Sequence, residues 1–159
     1  MCGELFKAMA KIDITHVPYR GAAPALSDLM AGRVDLMFAV MGSGLPLAQS
    51  GQLRALAVTS DKRMASAPDV PTIAETGVPG YDASSWFAFF LPAKTPPAIV
   101  KKVSADTAAA LKDPAVAVRL EQLGMVIVGS TPEEMGAYLK ADIAKWGPVI
   151  RAAGIKVNE

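Results

Sequence analysis

The sequence predicts an α/β protein built on a parallel sheet covered on both faces. Apolar runs at 13–18, 33–40 and 53–59 alternate with short helical patterns at 24–31 and about 46–50, the order of a βαβαβ unit. Two helix exits look alike, Ala31-Gly32-Arg33-Val34-Asp35-Leu36 and Ser50-Gly51-Gln52-Leu53-Arg54-Ala55, each a glycine stop followed by a Val- or Leu-led strand. The 159 residues, 52% hydrophobic and 19% charged, suffice for one good core or two small ones sharing a hinge, and exclude disorder. Strands joined by short helices imply right-handed crossovers, and such sheets bind ligands beyond the carboxyl ends of their strands.

Residues 3–10 read as a helix with Leu5, Phe6 and Met9 on one face, beginning abruptly with no capping residue. The stretch 15–26 then reads as a buried strand running through a tight turn into a helix. Gly21 relieves the turn, Pro24 is expected as first helical residue, and Leu26, Leu29 and Met30 give the helix an apolar face. Residues 60–82 are rich in proline and glycine, with one short helix expected at 72–77; so long an irregular connection implies a task of its own. The aromatic run Trp86-Phe87-Ala88-Phe89-Phe90-Leu91 reads as a strand ending at Pro92. A long helix is expected at 97–111, and Asp113-Pro114 opens another that ends at Gly124. Residues 125–128 read as a further strand. Ser130-Thr131-Pro132-Glu133-Glu134 starts the last helix, with a hydroxyl cap, a first-turn proline and two acids on the dipole; the helix is expected to close at Gly154 before a short tail.

The strand–turn–helix corner is the leading candidate site. The first-turn N–H groups, expected at Ala25 and Leu26, and the positive end of the dipole make an anion site with Tyr19 and Arg20 beside it; the alternative is a solvated arginine on a well-made turn. Gly42-Ser43-Gly44 matches neither a P-loop nor a dinucleotide fingerprint, so Ser43 is either a ligand contact at a helix start or part of a flexible turn. Trp86 and Phe87 read as core or as ligand wall. His16, the only histidine, has no nucleophile or carboxylate near it in sequence, and Cys2 is the only cysteine. The residues therefore offer no catalytic constellation, metal set or cofactor site, and no enzyme is expected.

The net charge of +1 favours neither nucleic acid nor an anionic membrane surface. No apolar run reaches the roughly 18 residues of a membrane span. The first residues lack a signal-peptide pattern, which read literally gives a soluble cytoplasmic protein.

Several motifs in order resemble the substrate-binding proteins of tripartite tricarboxylate transporters, the TctC or Bug family. They are His16-Val17-Pro18-Tyr19-Arg20-Gly21 with Pro24-Ala25-Leu26 and Asp28-Leu29, Val34-Asp35-Leu36-Met37-Phe38, 53–60, 68–77, and Gly80-Tyr81 leading to Trp86. The resemblance implies a type 2 periplasmic-binding-protein-like fold, in which two α/β lobes close on a small carboxylate before delivery to membrane permease subunits. It places the protein in the periplasm. It also implies that the chain matches about the C-terminal half of the family's plan, with the N-terminal lobe segment and its first ligand-binding loop absent. On that plan residues 1–82 match the second, parallel-sheet lobe with the hinge approach, and 83–159 match the returning part of the first.

The site carried over by resemblance comprises Tyr19, Arg20, Gly21, Ala22, Ala23 and Ala25 in one cleft loop, Phe38, Ala39 and Ser43 in a second, and Trp86. Ala39 stands where many members carry aspartate, which implies a plain carboxylate ligand rather than an amine-bearing one. The expected function is a solute-binding receptor, or its remnant, with no cofactor. The alternative is an interaction module that forms a homodimer through the apolar faces of the 97–111 and final helices.

Overall fold

The computed structural model describes residues 1–155; the tail expected after Gly154 lies, from Lys156, outside the described residues. Among the described residues the elements in order are six helices: α1 (Cys2–Ala10), α2 (Ala22–Met30), α3 (Met41–Gln49), α4 (Pro97–Leu111), α5 (Pro114–Gln122) and α6 (Pro132–Ala152). Among the described residues no helix is long and apolar enough to cross a membrane. The chain divides into two compact units, Met1–Ser84 and a second from Ser85 onward.

The expected sheet is the main correction. Residues 13–18, 33–40, 53–59, 86–91 and 125–128 form no named strand, and the pairing is limited to one isolated parallel bridge, Val58 to Thr72. The physical reason lies in the backbone. Residues 13–18, 34–39 and 54–57 exchange no backbone hydrogen bond with one another among the described residues. A parallel sheet is stable when both faces are covered, yet Val40 and Leu56 are each 63% exposed, and Val17 and Leu36 are exposed too.

In the first unit most of the core sits in or directly beside the stretch 60–82 that the sequence reads as a connection. Val58, Ala67, Thr72, Ile73, Tyr81 and Ala83 are buried, joined by Ala25 and Leu26 on α2. Val58 N–H donates to Pro71 O at 2.8 Å, Ile73 N–H to Val58 O at 3.0 Å, and Ala83 N–H to Thr59 O at 2.8 Å. The helix expected at 72–77 is instead a run of turns. Thr72 N–H donates to Glu75 Oε2 at 2.7 Å and Glu75 N–H to Thr72 Oγ1 at 3.1 Å, a reciprocal cap. That backbone bond, then Arg63, hold the Glu75 carboxyl below its ordinary range. The following Gly77 has φ +121°, which stops the turn from propagating.

α1 closes over this core through Phe6, whose ring lies 6.1 Å from Tyr81, edge-on, and 5.9 Å from Phe38. The Tyr81 hydroxyl donates to Cys2 O at 3.0 Å, and burial pushes its phenol well above the ordinary range.

In the second unit α4 packs against both α5 and α6. Both later helices start as their sequences specify. Asp113 accepts from Ala115 N–H at 2.8 Å, with Pro114 in the first turn. Thr131 and Glu134 form a capping box, Glu134 N–H to Thr131 Oγ1 at 3.2 Å and Thr131 N–H to Glu134 Oε2 at 2.8 Å. Trp86 is anchored on α6. Its Nε1–H donates to Asp142 at 3.0 Å, as does Nε1–H of Trp146, and its ring meets Tyr138 edge-on at 5.9 Å.

Candidate functional site

The corner at 19–23 is built from the turn outward. Gly21 has φ +121°, a conformation that side-chain-bearing residues rarely adopt, and it places the start of α2 at Ala22 rather than Pro24. In a helix starting at Ala22 the first-turn N–H groups are those of Ala22, Ala23 and Ala25, because Pro24 has none; of the two expected donors Ala25 stays in the first turn and Leu26 falls beyond it. No side chain caps them, and Gly21, Ala22 and Ala23 are exposed while Ala25 is buried. Arg20 is exposed, and among the described residues it makes no ion pair or side-chain hydrogen bond.

Tyr19 is held from beneath. Its hydroxyl donates to Asp28 Oδ2 at 2.7 Å, and Asp28 Oδ1 accepts from Arg33 Nε at 2.9 Å and Arg33 Nη2 at 2.6 Å. The Arg33 hydrogen bonds, then that of Tyr19, draw the Asp28 carboxyl below its ordinary range; the bond to Asp28 raises the Tyr19 phenol. Sequence reasoning missed this pair as a support. Its signal is visible in retrospect: Asp28 is the one charged residue of α2, and Arg33 follows its glycine stop.

α3 begins at Met41, earlier than the start expected near residue 46, so Gly42, Ser43 and Gly44 lie in its first turn, the helix-start alternative of the sequence reading and not the flexible turn. The helix starts there because Val40 O accepts from Ser43 N–H and Gly44 N–H, each at 3.0 Å, and from Ser43 Oγ at 3.1 Å. Ala39 lies close to Gly44, where a β-carbon would sit 3.1 Å from the Ala39 methyl. Phe38 turns inward to Phe6, and an added β-carbon on Gly3 would lie 3.5 Å from its ring.

The starts of α2 and α3 both belong to the first unit. No hydrogen bond or ion pair links the 19–23 turn to Phe38, Ala39 or Ser43 among the described residues. Trp86 belongs to the second unit, with its indole N–H already engaged by Asp142. A shallow depression of about 410 Å³ lies elsewhere in the first unit, lined by Leu45, Ala48, Leu53, Arg54, Ser66 and Asp69, and none of the expected site residues lines it. His16 is exposed, and among the described residues it has no hydrogen-bond or ion-pair partner and no cluster of His, Cys, Asp or Glu could hold a metal ion.

Comparison with known proteins places this arrangement in a class. The chain is similar in structure to a Rhodopseudomonas palustris protein, Rpa4515, solved with adipate: the TM-score is 0.83 at 42% identity, over 97% of this chain and 52% of that one. MatC of the same organism, solved with bound malate, gives 0.76 at 32% identity, over 94% and 52%. The path of the chain is therefore that of a periplasmic binding protein, although the strands are not paired. The family model of the tripartite tricarboxylate transporter family receptor, TctC, matches residues 1–155, and the chain belongs to that family. Proteins of this family are receptors and periplasmic binding proteins. The chain spans about half the length of most curated relatives it matches. A relative from Pseudomonas knackmussii, described as a UPF0065 protein in the clcB-clcD intergenic region, differs: it is 34% identical over 100% of this chain and 95% of its own length.

Proposed function

We propose that the first unit carries the ligand-binding corner of a solute receptor for a small dicarboxylate, serving a tripartite tricarboxylate transporter. The observation that carries the proposal is the 19–23 turn. An exposed, unpaired Arg20 sits beside the uncapped start of α2, on a backbone opened by Gly21 and steadied by Tyr19, Asp28 and Arg33. Arginine and first-turn N–H groups together suit a carboxylate, through charge-assisted hydrogen bonds and the helix dipole. Adipate and malate in the two solved relatives support the substrate class. In this reading Ala22, Ala23 and Ala25 form the turn's wall. Phe38, Ala39 and Ser43 form a second one at α3, where an alanine in place of an acid leaves nothing to attract an amine.

The reading assigns residues 1–82 to the receptor's second lobe and 83–159 to the returning part of its first. Trp86, which the resemblance assigns to the site, belongs to the second unit, where its N–H donates to Asp142. Delivery to membrane permease subunits in the periplasm follows from the same assignment, and chemistry on the ligand does not.

Calorimetric titration with C4–C6 dicarboxylates, against the matching diamides, tests it. The acids bind and the diamides do not. Arg20→Ala weakens binding at least tenfold, about 1.4 kcal/mol. Equal binding by the Arg20→Ala chain, or by the diamides, rules the corner out.

A further inference from the structure

The charges around the 19–23 corner do not all favour an anion. Asp28 lies on the same helix as the corner's N–H groups, about 9 Å along the axis from Ala22. Helical side chains lean toward the N-terminus, which brings its half-buried carboxylate closer still. That separation is near the screening length at physiological salt. An unpaired Asp28 would therefore oppose the pull of Arg20 and of the helix dipole on any negative ligand.

Arg33 prevents this. Its Nε and Nη2 donate to Asp28 Oδ1 at 2.9 and 2.6 Å, while the Tyr19 hydroxyl donates to Oδ2 at 2.7 Å. A phenol has one proton to give, and Tyr19 spends it on Asp28. Of Tyr19 and Arg20, only Arg20 keeps donors for a ligand carboxylate, so any loss of its field counts directly. With Arg33 present, the charges of Arg20, Asp28 and Arg33 leave one positive charge; without it they cancel. Arg33 is also fixed by its backbone, whose N–H donates to Asp28 O at 2.9 Å just past Gly32. The turn that ends α2 therefore does not depend on the Arg33 side chain.

We infer that Arg33 is a specificity-determining residue of the corner: by neutralising Asp28 it keeps the start of α2 positive, and so favours a dianionic ligand over a monoanionic one of the same size. The inference rests on the reading of the corner as a carboxylate site, and adds to it a residue outside the turn.

Calorimetric titration of the full chain at low salt, with succinate and with its monoamide, tests it. Losing one unit charge at this distance weakens attraction about twofold per ligand charge. Arg33→Gln should therefore weaken succinate about fourfold and the monoamide about twofold, halving the preference, and molar salt should remove the difference. The double variant Arg33→Gln with Asp28→Asn should restore the preference although the ion pair is gone, which a purely structural role of Arg33 would not allow. Hydroxide-catalysed exchange of the uncapped Ala22 and Ala23 N–H groups reads the same field without a ligand. It should slow about twofold in Arg33→Gln and recover in the double variant. If succinate binds and Arg33→Gln changes neither the preference nor these exchange rates, the inference fails and the corner stands. It fails equally if the double variant behaves as Arg33→Gln does. If neither ligand binds while the exchange rates respond as expected, the carboxylate reading is what has failed, and the choice between ligands falls with it.

Discussion

The irregular stretch 58–83 and the helical second unit invert the usual relation between regular structure and burial. The first has no helix, yet it holds Val58, Thr72, Ile73, Tyr81 and Ala83 in the core and satisfies their backbone through turns and one bridge. The second has three helices, two of them capped by side chains, and no fully buried residue on any of them. Capping and propensity form a helix locally, but only a covering layer buries it. Turn chemistry can form a core without either helix or sheet when its side chains converge.

The sharpest challenge to this contrast is a matched pair of truncations. Tyr81 is 1% exposed, so Tyr81→Ala should cost about 3–5 kcal/mol through lost burial and the cavity left beside Phe6. Phe89→Ala should change stability by less than about 0.5 kcal/mol in the chain alone. Urea denaturation of both variants decides; comparable losses would mean that Phe89 is covered in solution.

Glycines give a smaller effect with opposite signs. Gly77 has φ +121°, and Gly77→Ala should destabilise by about 1–3 kcal/mol. Gly136 lies inside α6 with open space where a β-carbon would go, so Gly136→Ala should stabilise by about 0.5–1 kcal/mol. Thermal unfolding followed by far-ultraviolet circular dichroism distinguishes the signs. Two destabilised variants would remove the distinction between a turn that needs glycine and a helix that tolerates it.

The smallest effect separates two carboxyls, half-buried Asp28 and exposed Glu134, by the cause of their acidity. Asp28 in the first unit is drawn down mainly by Arg33, and Glu134 in the second mainly by the Thr131 N–H. Both have folded values below their unfolded ones. Each therefore contributes stability that is fully present above the ordinary carboxylate range and is lost as pH falls through the depressed value. Molar salt shortens screening to about 3 Å and should raise Asp28 toward its ordinary value while leaving Glu134 nearly unmoved. Carboxyl carbon NMR titration at two salt concentrations reads this directly; equal shifts would refute the division.

Helices were the most legible elements because their signals are local. Pro97, the Asp113-Pro114 pair and the Thr131–Glu134 box each act within one turn, and the elements start where those residues stand. The strand patterns at 13–18, 33–40 and 86–91 are equally visible, but pairing is a property of two segments and no single run encodes its neighbour. The same limit governs the candidate site. Gly21 announces a turn by itself, whereas the support of Tyr19 by Asp28 and Arg33 depends on a helix bringing residue 28 back beneath residue 19. Residues 72–77 misled for another reason: a short segment closed by a glycine reads as a helix with its cap, but the reciprocal Thr72–Glu75 bonds form turns that Gly77 ends before they become a helix.

The Asp142 carboxylate joins the indoles of Trp86 and Trp146, the two tryptophans of the chain, and both lie beyond Ser84. Emission excited at the red edge of the absorbance band therefore originates wholly in the second unit. The first unit is silent there and reports only through the phenols of Tyr19 and Tyr81. One polypeptide thus carries a built-in optical label for its second unit, so unfolding of that unit can be timed without attaching a dye.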